Sequence, residues 1–247
     1  MHKTIVIICD GAFPRKEYPR YLIRNADFII CCDGALKKFL KHSVSIFGEE
    51  RLPDLVTGDM DTLSPALQKK YADIIVKQTE QEHNDQTKAV RWALENLTGI
   101  GSIHILGATG GRTDHTIGNV SLLMEYTRMF DLSGINMEMV SDEGTMFAIT
   151  DTTEFDCGEG RQVSIFTPDN SLQIKSDGLM YPTDDVVFDN WWKATLNRSI
   201  RDNVRLELSH RSIALVSLNL RNKWQIIRKS SILIIFLMKI SLHILNS

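Results

Sequence analysis

The sequence has little cysteine, no surplus of positive charge and no apolar run of membrane-spanning length. Its four cysteines, Cys9, Cys31, Cys32 and Cys157, form no C-x-x-C pair, which argues against a metal knuckle or a redox motif. Two of them sit inside the apolar run Phe-Ile-Ile-Cys-Cys, and all four read as free thiols of a cytoplasmic protein. The formal net charge of -3 argues against a partner gripped through a basic face, so no nucleic acid is expected. The N-terminal MHKTIVIICDG reads as one strand, too short and wrongly flanked for a signal peptide. The apolar stretch SSILIIFLMKISLHILNS near the C-terminus is broken by Lys239 and His243. Its unbroken run falls well short of the ~20 residues that span a bilayer. Residues 220–247 are therefore expected to be a packed terminal element or a tail apart from the core, not a membrane anchor. Internal repeats and low-complexity linkers are absent from this reading too.

What is present is an ordinary globular composition, 43% hydrophobic and 24% charged over 247 residues, enough for one large or two smaller cores. The first 140 residues alternate short apolar runs with helical patterns. Strands are expected at Thr4–Cys9, Phe28–Cys32, Leu55–Thr57, Ile74–Lys77, Ser102–Leu106 and Asn136–Val140. Continuous apolar runs of this length suit parallel strands covered on both faces. Gln86–Leu97 sets Ala89, Val90, Ala93, Leu94 and Leu97 on one helical stripe, and Asp114–Phe130 does so with Ile117, Val120 and Met124. From about residue 145 the pattern changes to short strands with turn signals, such as the alternating Val204, Leu206 and Leu208. The expected fold is a layered α/β domain with a mostly parallel sheet (1–142), followed by a smaller all-β sandwich (143–219).

Three polar clusters follow expected strands. In VTGDMDT, Asp59 and Asp61 would point to one side of an extended backbone. Their mutual repulsion would be relieved by Mg²⁺, a hard ion that binds carboxylates and phosphates together; a solvated turn is the plainer alternative. In TEQEHNDQTKAV, Glu80, Glu82 and Asp85 gather before a helix, where Asn84 or Asp85 would also serve as N-cap. In LGATGGRTDHTIGN, Gly110 and Gly111 lead to Arg112, Asp114, His115 and Asn119. This matches neither a P-loop nor a clean G-x-G-x-x-G. Glycines nevertheless let backbone amides approach a phosphate, the following helix offers its positive end, and arginine forks onto phosphate oxygens. Asp114 could orient Arg112, ligate metal or accept a proton. All three clusters lie where open α/β sheets bind ligands, beyond the carboxyl ends of strands. Together they suit phosphoryl-type transfer.

These residues also carry a family resemblance. GDMDT resembles the G-D-x-D-S element of the thiamine pyrophosphokinases, EQEHNDQTKAV resembles their D-Q-D-x-T-D-x-x-K-A, and GATGGRTDHTIGN is similar to their G-x-x-G-G-R-x-D-H-x-x-x-N. CCDGAL resembles the A-D-G-G element, GLMYP the G-L-x-Y-P turn, and TLN stands where the family has an S-N pair. The agreement in order and spacing runs over about residues 5–125. The resemblance implies transfer of the pyrophosphoryl group of ATP to the hydroxyl of thiamine, giving thiamine diphosphate and AMP. It implies Mg²⁺ on Asp59, Asp61, Glu82 and Asp85, and ATP near Asp33, Gly34, Gly110, Gly111, Arg112, His115 and Asn119. Thiamine would lie near Thr195, Asn197 and Trp192, in a cytoplasmic homodimer whose active site is shared between subunits. Asp59, Asp61, Asp85, Arg112 and Asp114 would carry the catalysis. The sequence departs from the family pattern at Glu80 and Glu82 (aspartates there), at Ala35 (glycine) and at Leu196 (serine). Two alternatives remain at this point. A metal-dependent nucleotide-sugar glycosyltransferase would explain Asp59 and Asp61, and a non-catalytic thiamine- or nucleotide-binding protein would tolerate the departures.

Overall fold

Buried apolar strands organise the first half of the chain. The computed structural model describes residues 2–220, and the chain divides into two compact units, Met1–Thr150 with Ser212–Ser217, and Asp151–Arg211 with the residues from Leu218. The first unit is built from β1 (Lys3–Ile8), α1 (Glu17–Arg24), β2 (Phe28–Cys32), α2 (Ala35–Phe47), β3 (Leu55–Gly58), α3 (Pro65–Lys70), β4 (Ile75–Lys77), α4 (Asp85–Asn96), β5 (Ile100–Leu106), α5 (Thr113–Met129), β6 (Asn136–Val140) and β7 (Gly144–Ile149). Its strands run in the order β4-β3-β2-β1-β5-β6-β7. Every pairing is parallel except that of β6 with β7, which is antiparallel. Ile5 to Ile8 and Ile29 to Cys31 are fully buried, as continuous apolar runs demand when helices cover both faces. The order reverses between β1 and β5, so the loops after β1, β2, β3 and β5 open around a crevice of the kind that receives ligands.

Each expected strand is present, with ends shifted by at most two residues. The expected helix stripes are met unevenly. Ala89, Val90 and Ala93 of α4 are buried, whereas Ile117 of α5 is 56% exposed. Burial in α5 begins only at Leu123, Met124 and Tyr126, so its first two turns stand clear of the core.

The second unit is β-rich: β8 (Thr153–Asp156), β9 (Gln162–Phe166), β10 (Ile174–Asp177), β11 (Ala194–Arg198) and β12 (Asn203–Leu208). β12 pairs antiparallel with both β10 and β8, and its burial alternates as Val204, Leu206 and Leu208 predict. β11 pairs antiparallel with β9 through an irregularity between Ala194 and Asn197. The last strand, β13 (Ala214–Asn219), lies beside β7 of the first unit through its Ala214–Ser217 part. The boundary at 142/143 lies in the turn between β6 and β7, one strand before the division at Thr150, because β7 folds straight back on β6. The apolar stretch of the tail lies in 221–247, outside the described residues. Among the described residues no helix is long and apolar enough to cross a membrane, and all four cysteines are free and buried.

Candidate functional site

The loops at the carboxyl ends of β1 to β5 border an open cleft of about 660 Å³. Asp33, Asp59, Asp61, Glu82, Asp85, Arg112, His115 and Asn119 line it, with Gly34 and Gly111. Gly110 stands beside that lining in the same loop, and Asp114 in the first turn of α5.

Asp59 and Asp61 converge, but not as neighbours on an extended strand. β3 ends at Gly58, and Met60 between the two carboxylates has φ +66. That left-handed residue costs about 1 kcal/mol. The turn drives the Met60 side chain into the hydrophobic core, and the Asp61 N–H donates to Asp59 Oδ1 at 3.1 Å. This bond, from the backbone amide of Asp61, holds the Asp59 carboxyl below its ordinary pKa. Gly58 has φ +145, and a Cβ there would meet Asp85 Oδ1 at 2.9 Å, so glycine is required by both backbone and neighbour.

The third carboxylate of this group is Asp33. Asp33, Asp59 and Asp61 each offer an oxygen within 4.8 Å of the other two. Asp33 is 2% exposed, with φ +36. Its Oδ2 accepts from the Thr62 N–H at 3.0 Å, while its buried Oδ1 has no hydrogen-bond partner. Burial pushes its pKa up, and Asp61 beside it adds to the rise. A buried carboxylate with an orphaned oxygen, grouped with two other carboxylates, is the arrangement a hard cation satisfies. The donor set therefore fits Mg²⁺.

Asp85 lines the same cavity from the first turn of α4, with Lys88 Nζ at 3.5 Å from its Oδ1. Lys88 is 1% exposed, a buried ammonium beside an acidic set. Burial raises the Asp85 pKa and Lys88 opposes that rise. Glu82 is exposed at the cavity edge. Glu80 is turned into its own loop: its Oε2 accepts from the N–H of Glu82 at 2.9 Å and of His83 at 3.1 Å. Its longer side chain thus closes the turn and leaves Glu80 out of the cavity lining.

On the other side of the cavity, Gly110 has φ +76, and a Cβ there would strike Ala12 Cβ at 2.5 Å. The loop can therefore cross the β1 loop only with glycine. Arg112 precedes α5 and forks onto its neighbour but one: Nε reaches Asp114 Oδ1 at 3.1 Å and Nη2 reaches Oδ2 at 2.5 Å. The guanidinium holds the Asp114 carboxyl down to about 2. So strong an acid is a poor proton acceptor at neutral pH. Of the roles open to Asp114, orienting Arg112 is the one the geometry favours.

In the second unit, Asn197 is buried. Its Nδ2 donates to the Tyr181 carbonyl at 2.6 Å, and its Oδ1 accepts from the N–H of Tyr181 at 3.1 Å. It fastens the Gly178–Pro182 turn to β11. Thr195 Oγ1 donates to the Trp192 carbonyl at 2.8 Å. Leu196, at φ +59, is 76% exposed. Trp191 meets Phe166 edge-on with ring centroids 6.1 Å apart, whereas Trp192 is 65% exposed beneath Lys193 Nζ. Trp192 is thus the more open of the two indoles.

Several lining residues escaped the sequence reading, among them Cys9, Asp10, Gln86 and Lys88. One signal was available: Cys-Asp-Gly-Ala occurs twice, at Cys9–Ala12 and at Cys32–Ala35. The two copies end adjacent parallel strands, since Ile8 pairs with Cys31. They serve differently. Asp33 joins the acidic group, whereas Asp10 Oδ1 pairs with Lys38 Nζ at 2.8 Å. Ala35, a departure from the family pattern, is simply the first residue of α2 and needs no special backbone.

The fold and this site describe a layered α/β unit whose strand ends set a group of three carboxylates, able to hold a cation, and an arginine loop around one cavity. The chain matches the family models described as the catalytic domain of thiamin pyrophosphokinase, over residues 19–133, and the substrate-binding domain of thiamin pyrophosphokinase, over residues 144–214. Together these span well over half of the chain, which belongs to the thiamin pyrophosphokinase family. It is 27% identical over 163 residues to thiamine pyrophosphokinase 1 of Oryza sativa subsp. japonica, covering 60% of this chain and 59% of the relative. To the thiamine pyrophosphokinase of Bacillus subtilis (strain 168) it is 34% identical over 87 residues, 34% of this chain and 40% of the relative. The chain spans about half the length of the curated relatives it matches. Among solved structures, the thiamine pyrophosphokinase of Bacillus subtilis aligns with TM-score 0.69 at 20% identity over 89% of this chain and 100% of that one. That of Candida albicans aligns with TM-score 0.68 at 16% identity, over 89% and 90%. These structural likenesses concern the fold.

Proposed function

We propose that this protein transfers the pyrophosphoryl group of ATP to the hydroxyl of thiamine, releasing AMP and thiamine diphosphate. The observation that carries the proposal is the meeting of Asp33, Asp59 and Asp61 with the Arg112 loop around one cavity in the part that matches the family's catalytic domain. Asp33, Asp59 and Asp61 would hold Mg²⁺, with Asp85 and Glu82 at the edge of the same set. The ion, when bound, offsets the charge of the polyphosphate. Arg112, aligned by Asp114, grips phosphate oxygens as a bidentate fork. Gly111, the start of α5 and His115 present backbone and side-chain donors to the same anion, and Gly34 with Asn119 borders the nucleotide. The hydroxyl oxygen bonds to the β-phosphorus as the bond to the α-β bridging oxygen breaks. AMP leaves and one proton is released.

Thiamine recognition is assigned to Thr195, Asn197 and Trp192 of the second unit. The exposed indole of Trp192 suits a cationic thiazolium ring, while Asn197 would act by holding its turn. The cytoplasmic homodimer with a site shared between subunits rests on the family resemblance, and sedimentation of the purified chain would test the dimer. A D-x-D glycosyltransferase gives no role to the Arg112–Asp114 pair or to Asp85. One incubation with ATP, Mg²⁺ and thiamine tests the reaction. AMP with thiamine diphosphate is expected; ADP with thiamine monophosphate, or no thiamine-dependent turnover, overturns it.

A further inference from the structure

The loop leading into α4 and the loop leading into α5 are joined by side chains of which only Asn119 also borders the proposed nucleotide site. Asn84 Oδ1 accepts from Thr87 N–H and Oγ1, both at 3.0 Å. Its Nδ2 donates to Asn119 Oδ1 at 2.9 Å, and Asn119 Nδ2 donates to the Ala108 carbonyl at 2.9 Å. Beneath them, Gln86 Nε2 donates to the Asn119 carbonyl at 3.3 Å and to Tyr126 Oη at 3.2 Å. Tyr126 Oη lies 2.9 Å from Thr87 Oγ1. Gln86, Thr87 and Tyr126 are buried, where unmade hydrogen bonds are costly, so the set holds together as a unit.

The position of this network matters because of what α5 lacks. Thr113, Asp114, His115, Ile117 and Gly118 are all exposed. Apolar packing therefore does not fix the end of the helix that bears Arg112. Both ends of the Asn119 amide are committed to protein partners, one in each loop.

We infer that Asn84 and Asn119, braced by Gln86 and Tyr126, are positioning residues that keep the Arg112 loop in register with the carboxylates across the cavity. The inference rests on the reaction proposed above. Misplacing reacting groups by about 1 Å costs on the order of a hundredfold in rate, so a partly loosened bridge should cost about tenfold.

The test compares the full-length wild type with Asn84→Ser, Asn119→Ala and the double variant. Serine still caps α4 but cannot reach Asn119. AMP formation is measured with ATP, Mg²⁺ and thiamine, and amide exchange of residues 107–112 is followed with and without Mg²⁺ alone. Each single variant should lower kcat about tenfold, and the double should be no worse than the poorer single, since both break one bridge. Asn84→Ser should also speed exchange in 107–112, a loop it does not touch in sequence. Multiplying losses, kcat within about twofold of wild type, or unchanged exchange in 107–112 would overturn the inference. A wild type that forms no AMP would defeat the reaction assignment, while the exchange result would still decide the bridge.

Discussion

The carboxylate side and the arginine side of the cavity are built on opposite plans. Asp33, Asp59 and Asp61 are set by left-handed backbone at Asp33 and Met60, by a buried methionine and by Gly58, where any Cβ would crowd Asp85. Arg112, just before α5, and Asp114, in its first turn, are exposed, and their side chains pair with one another while the loop behind them rests on the Asn84–Asn119 bridge. The first side is preorganised and electrostatically uncomfortable without a cation. The second is paired and relaxed until an anion arrives. Preorganisation is thus concentrated where like charges must be forced together, and adjustability where a flexible polyphosphate must be accommodated.

That contrast ranks the outcomes of mutation. Asp61→Asn should cause the largest loss, about 10²–10³-fold in kcat, with the unfolding midpoint in urea unchanged or raised because a repelling charge is gone. Full activity in that variant would break the assignment of the preorganised side. Arg112→Lys should cost about 10²-fold, since a point charge does not reproduce a bidentate fork; steady-state kinetics against MgATP would show it. Gly58→Ala should cost about tenfold in turnover together with about 2 kcal/mol of stability from strain and the Asp85 contact, read by urea unfolding. Asp114→Asn should have the smallest effect, about threefold. Its carboxyl, held down to about 2 by Arg112, is charged throughout the range from about pH 5 to 9, so it contributes no limb to the profile there. The plot of kcat/KM against pH should keep its shape in this variant. A lost acidic limb would make Asp114 a proton acceptor after all.

The strands were legible because parallel strands buried on both faces are written as unbroken apolar runs, as in Phe28–Cys32. The long apolar stripe of α4 was legible in the same way. The short α1 and α3, of eight and six residues, offer too few turns for a period to show. The three ligand loops were legible as clusters, yet their internal geometry was not. Convergence of Asp59 and Asp61 was expected from an extended strand and is produced by the turn at Met60. Strand spacing says nothing of a left-handed residue whose side chain is apolar. Glu80 shows the same limit, because which of several neighbouring acids turns inward depends on backbone donors that only the folded loop presents. Lys88 drew no assignment from the sequence, because its burial comes from tertiary packing.

Met60 carries one further consequence. Its side chain is part of the hydrophobic core while its flanking residues, Asp59 and Asp61, belong to the proposed cation site, so the thermodynamics of the two would be linked. A cation that binds only the folded arrangement stabilises the whole first unit by RT ln(1 + [ion]/Kd). Loosening the packing around Met60 weakens ion affinity by the same reciprocity. If the proposed site takes Mg²⁺, the melting curve becomes a titration instrument: the shift in unfolding midpoint with added ion would read its occupancy without any substrate being turned over.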